Sequence, residues 1–119
     1  MQHPVPFRRP INWRRLRTDE AEAVVRQRAA DTSNVVIGEH AFERLAERGE
    51  GNLIITPDVY EILRTGIVEP DPVLEPSGEW KVVVVKRMAG AREAGAVTLF
   101  AQEDGILFVK TVEWMDWIR

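Results

Sequence analysis

The sequence predicts an α+β domain, with N-terminal helices packed on a three- to four-stranded antiparallel sheet. Three observations carry this expectation. Helical spacing with start and stop signals fills the chain up to Gly66, and strand patterns fill the remainder. The last two strand patterns flank Asp104-Gly105, the signature of a tight hairpin turn.

The elements follow in order. Arg8, Arg9, Arg14, Arg15 and Arg17 form a basic arm ahead of the first acid, Asp19. Asp19 with Glu22 three residues on reads as a capped helix start, and Ala21, Val24, Val25 and Arg28 keep helical spacing to about Ala30. Val35–Ile37 is a short β-branched run. In GEHAFERLAERGEG, residues 38–51, Phe42, Leu45 and Ala46 form an apolar helix face. His40, Arg44 and Arg48 stack at four-residue spacing on the other, beside an acidic column of Glu39, Glu43 and Glu47. The next stretch, IITPDVYEILRTG, carries Thr56 as N-cap, Pro57 at the first helical position and Asp58 in the positive first turn. Val59, Ile62 and Leu63 face inward, and Gly66 terminates the helix.

Strands come next. IVEPDPVLEP holds Pro70, Pro72 and Pro76, which cannot donate to a central ladder, so it is an edge strand or an irregular ribbon. EWKVVVVKRM is apolar on both faces, as in a strand covered on both sides. AGAREAG, residues 89–95, is a hairpin connection, and AVTLFAQ and ILFVKTVEW are the last two strands. Residues 1–34 form the basic arm and an extra helix, residues 35–119 the α+β unit, and the whole is one globular body.

The bulk numbers narrow the function classes. The chain has 119 residues, 45% hydrophobic and 29% charged, so it can bury a core and is not compositionally disordered. No stretch approaches the ~20 apolar residues of a spanning helix, and MQHPVPFRRP lacks the apolar run of a signal peptide, so a cytoplasmic location away from membranes is expected. The absence of cysteine excludes disulfides and thiolate catalysis. His3 and His40 are the only histidines and no His-Glu-x-x-His exists, so neither a metal nor another cofactor is expected. Ser33 and Ser77 lack a nucleophile-elbow setting. The net charge of −3 argues against a surface that clings to nucleic acid everywhere. Within the arm, Arg14, Arg15 and Arg17 interleave with Phe7 and Trp13. Such an arm holds phosphates and stacks a base, or else packs Trp13 and Leu16 on the core and leaves the arginines solvated.

EHAFERLAERG followed by ITPDVYEILRTGIVEP, GEWKVVVVKRM and AVTLFAQEDGILFVKTVEW resembles an uncharacterised family of small bacterial proteins. Its pattern is His-Ala-x-x-Arg-x-x-x-Arg-Gly, then a second helix ending in Gly-Ile/Val and a three-stranded meander. That family is assigned to the RelE/ParE-like toxin superfamily, whose fold is two helices against a twisted antiparallel sheet. The resemblance covers about residues 36–114.

It implies a toxin of a bacterial toxin–antitoxin pair, acting as a metal-independent messenger-RNA endoribonuclease or as a gyrase inhibitor and silenced by a small antitoxin. RNA or the ribosome would be the target. For RNA cleavage, a group must take the 2′-hydroxyl proton, cations must hold the phosphate, and a donor must serve the leaving oxygen. By the resemblance, His40 is the base or donor and Arg44 and Arg48 are phosphate clamps, with Lys86, Arg87 and Arg92 as further cations. The chain departs from the toxins at its only tyrosine, Tyr60, which sits in a helix, and at its last strand, which ends Glu113-Trp114.

Each assignment has a structural counterpart. His40 can cap a helix start, Arg44 and Arg48 can be salt-bridged scaffold, and Lys86 and Arg87 point to opposite faces of one strand. The C-terminal cluster of Trp114, Met115, Trp117 and Ile118 is either core or an exposed patch for a protein partner or a homodimer. A non-catalytic interaction module that keeps the RelE-like fold is the alternative function.

Overall fold

The computed structural model describes residues 10–47, 54–69 and 71–115. Three helices, α1 (Thr18–Ala29), α2 (Glu39–Glu47) and α3 (Thr56–Thr65), accompany six strands: β1 (Val35–Ile37), β2 (Ile67–Val68), β3 (Val73–Leu74), β4 (Trp80–Arg87), β5 (Glu93–Phe100) and β6 (Leu107–Trp114). The strands form one sheet in the order β1-β6-β5-β4-β2, with β3 also on β4. Among the described residues, no helix is long and apolar enough to cross a membrane.

The domain is α+β as expected, but the sheet is larger and mixed. The β4-β5-β6 meander is antiparallel, whereas β1 pairs parallel with β6, Val35 opposite Leu107 and Ile37 opposite Val109. The physical reason is edge satisfaction: β6 ends the meander with an open side, and a three-residue β-branched run far away in sequence fills part of it. The proline-bearing ribbon resolves into two strands of two residues, both antiparallel to β4 at the other edge. The β5–β6 connection differs from the expected tight turn: six residues, 101–106, join the strands, and Gly105 within that loop takes a positive φ of 72°.

Both helix starts shift from their expected caps. Arg17, not Asp19, is the N-cap of α1, because the Glu20 carboxylate reaches back to the Arg17 N–H at 3.0 Å. Ile55, not Thr56, caps α3, where Asp58 accepts the Ile55 N–H at 3.0 Å. In each case an acid three residues into the helix decides the cap, since it satisfies an orphan donor. Gly66 ends α3 as expected, though in extended backbone (φ −76°) and not in a left-handed cap. A Cβ there would sit 2.6 Å from the Ile62 carbonyl oxygen and 2.8 Å from that of Val85, so glycine is required for space.

One core unites the domain. Val24 and Val25 of α1, Val59, Ile62 and Leu63 of α3, and Val82, Val84, Phe100 and Val109 of the sheet are buried in a single cluster. Each such side chain contributes about 1.5–3 kcal/mol on burial. The extra helix is therefore part of the same hydrophobic body as the strands. The helices cover only one face of the sheet, the face of Trp80, Val82 and Val84. By the two-residue pleat, the opposite face carries Val83, Val97, Leu99 and Phe108. Met115 lies directly over Gly95 on that face, and Val36, Ile67, Val73 and Phe108 are exposed. The strand that reads as apolar on both sides thus has helical cover on one.

Candidate functional site

The histidine column sits on α2. The helix follows β1 at Gly38, whose N–H bonds the Val109 carbonyl at 2.9 Å, while the Gly38 carbonyl accepts the Phe42 N–H at 3.0 Å. A Cβ at Gly38 would meet the tip of the exposed Phe108 ring at 2.6 Å and the Val109 carbonyl oxygen at 3.1 Å, so the glycine lets that ring lie over the strand–helix junction. Ala41 and Leu45 turn into the core, while Phe42 is exposed. The expected apolar face of Phe42, Leu45 and Ala46 is therefore rotated by about one residue. The parallel docking of β1 on β6 sets the azimuth of the helix that follows it, and the small Ala41 lets α2 approach β6.

His40 and Glu39 are exposed on the first turn of α2, and His40 makes no side-chain hydrogen bond or ion pair among the described residues. Arg44 follows one turn later, about 6 Å along the axis. The side chain of Arg44, and all of Arg48, lie outside the description, as does Trp117.

The remaining cations fall into two groups. Lys86 and Arg87 end β4 on opposite faces of the strand, Lys86 half-buried and Arg87 exposed. Arg92, after the turn Ala89–Ala91, lays its guanidinium 4.4 Å from the centre of the Trp114 ring. This is cation–π distance. Trp114 is buried and belongs to the core, not to an exposed aromatic patch.

Arg14, Arg15 and Arg17 lie at the other end of β4. There the Trp80 indole N–H donates to the Trp13 carbonyl at 2.9 Å. From Trp80 to Arg87 the strand runs about 23 Å at ~3.3 Å per residue. The arm and the Lys86–Arg92 group therefore do not form one patch. Trp13 packs edge-on against Phe100, centroids 6.1 Å apart, and takes the Arg28 guanidinium at 5.6 Å. Of the two sequence readings of the arm, the packed one describes Trp13 and Leu16.

Several positions that organise these groups were not singled out by sequence. Asn12 accepts the N–H groups of Arg14 and Arg15 at 3.1 and 3.3 Å. Glu20, 2% exposed, accepts the Asn12 N–H at 3.2 Å and that of Arg17. The spacing Arg17-x-x-Glu20 was a readable signal for this clamp, hidden by the equally regular Asp19-x-x-Glu22. Arg28 donates to the carbonyls of Ala101 (2.7 Å), Ile106 (3.2 Å) and Gln102 (3.2 Å), tying α1 to the β5–β6 hairpin. Burial holds its pKa below the ordinary arginine value, opposed by the nearby Asp104 and Glu103 carboxylates. Asp31 accepts from the Ser33 hydroxyl at 2.7 Å and from its N–H at 3.0 Å, and these bonds, the hydroxyl first, hold its carboxyl below the usual range.

Among the described residues, no group of three or more His, Cys, Asp or Glu side chains is placed to hold a metal ion. The chain matches no family model, no curated protein and no solved structure.

Proposed function

We propose that this protein is a RelE-like toxin of a toxin–antitoxin pair, acting on RNA through the α2 column. The carrying observation is His40, which stands exposed on the first turn of α2 with Arg44 one turn behind it. The order β1, α2, α3, then the β4-β5-β6 meander supports the reading, since two helices against a meander is what the resemblance implies. In this scheme His40 takes or gives the proton at the reacting oxygen, and Arg44 and Arg48 hold the phosphate as charge builds. Lys86, Arg87 and Arg92 are too far from the arm to share a site with it, and they serve as a separate cationic end. The test is induced expression in bacteria of wild type beside His40→Ala. Growth arrest by the wild type alone is expected; equal growth of both, with soluble protein confirmed, rejects the toxin.

The second reading is a non-catalytic interaction module. The exposed Val36, Ile67, Val73 and Phe108 on the sheet face without helices favour it, because an apolar face of this kind is where protein partners bind. It predicts a protein complex unaffected by His40→Ala.

A further inference from the structure

We propose that the turn Asn12–Arg17 is a preorganised phosphate-binding element, in which Arg14 and Arg15 hold nucleic-acid phosphates without reading bases. The proposal rests on the RNA reading above only for its choice of nucleic acid as ligand.

The turn is tied at both ends and in the middle. Glu20 is buried in the core side of α1 and spends its two carboxylate oxygens on the backbone of residues 12 and 17. The Asn12 side chain fixes the N–H groups of Arg14 and Arg15, and the Arg15 N–H also reaches the Asn12 carbonyl at 3.2 Å. Trp13 between them is pinned by Trp80, Phe100 and Arg28. A backbone already ordered loses less entropy on binding.

What this turn displays is charge alone. Arg17 pairs with Asp19 at 3.5 Å, Arg26 with Glu22 and the Gly66 carbonyl, Arg28 with the hairpin carbonyls, and Arg64 with the Ala29 carbonyl. Arg14 and Arg15 are exposed, and their guanidiniums make no hydrogen bond or ion pair among the described residues. The apolar side chains of the turn face the other way: Leu16 is buried and Trp13 packs on the core, as does the preceding Ile11. Among the described residues, the turn therefore presents no aromatic platform for stacking, and what it offers is the phosphate-holding half of single-strand recognition. A buried apolar anchor, which protein interfaces need, is missing as well. Adjacent guanidiniums suit phosphate oxygens, whose binding is sequence-independent and salt-dependent.

The experiment is anisotropy of labelled single-stranded RNAs of two unrelated sequences, titrated with the full chain between about 50 and about 200 mM salt. Wild type, Arg14→Ala/Arg15→Ala and His40→Ala are compared, with poly-glutamate as a parallel ligand. Two lost phosphate contacts make the slope of log affinity against log salt shallower by about 1.4 for the double variant, equally for both sequences, with the thermal midpoint unchanged. An Arg14→Lys/Arg15→Lys variant keeps most of the wild-type slope. The proposal is overturned by undetectable RNA binding at low salt, by a double variant with the wild-type slope, or by tighter binding of poly-glutamate through the same arginines. RNA binding lost in the double variant but kept in His40→Ala supports the turn even where the growth assay rejects the toxin.

Discussion

Arg26 and Arg64 cap each other's helix. Arg26 on α1 donates to the Gly66 carbonyl at the end of α3 at 2.9 Å, and Arg64 on α3 donates to the Ala29 carbonyl at the end of α1 at 3.0 Å. The two helices thus end side by side, each supplying a cation to the negative end of the other's dipole and a donor to an orphan carbonyl.

Arg64→Ala is expected to destabilise the fold by about 1 kcal/mol, as is Arg26→Ala. Urea unfolding should show a lower midpoint with unchanged slope for each variant. Because both changes loosen the same helix pair, a double-mutant cycle should give a coupling of about 0.5 kcal/mol or more, whereas strict additivity would show that the two caps are independent.

Arg28→Met should cost more, about 2–3 kcal/mol, since it leaves the Ala101 and Ile106 carbonyls without their charged donor while keeping much of the stem packing. Hydrogen exchange should speed up first at the β5–β6 hairpin. Uniform acceleration across the sheet would mean that Arg28 does not specifically fasten that turn.

Glu20→Ala should lower stability by about 2–3 kcal/mol, because the N–H groups of Asn12 and Arg17 both lose their acceptor in a part-buried setting. Glu20→Gln keeps one amide oxygen and should cost roughly half as much. Thermal melts of the two variants, side by side, test the order.

Gly66→Ala should cost about 2–4 kcal/mol although its backbone is extended, since the added methyl meets two backbone carbonyls that cannot rotate away. Stability within a few tenths of wild type in chemical denaturation would contradict this account of the glycine.

Asp31 provides the pH test. Its carboxyl titrates below the usual range in the folded protein because of the Ser33 hydroxyl and N–H, so the stabilisation is present above the unfolded value of about 3.9 and is lost as pH falls through the lower folded one. Ser33→Ala removes the larger cause, and an NMR titration of the Asp31 carboxyl should then move upward toward the ordinary value. An unmoved titration would remove the hydroxyl as the cause.

Much of the architecture was legible. The helical spacing of Val24, Val25, Val59, Ile62 and Leu63 and the strand-forming runs of β4 to β6 are local chemistry, decided by near neighbours in the chain, whereas the loop around Asp104-Gly105 is longer than that dipeptide implies. The candidate site was less so. His40 and Arg44 could be placed on one helix face by counting, but whether Phe42 points in or out depends on how β1 meets β6, some seventy residues away.

By itself, then, the sequence determined which segments become helices and the main strands and, for α1 and α3, which face is apolar, because periodicity acts within a turn or two of backbone. Tertiary structure alone decided that β1 runs parallel to β6, that Arg26, Arg28 and Arg64 are consumed by carbonyls, and that Arg14 and Arg15 are left facing solvent on a braced turn. The reason is the same each time: a guanidinium looks alike in every helix, and only the folded chain shows whether a carbonyl from a distant segment lies within reach of it.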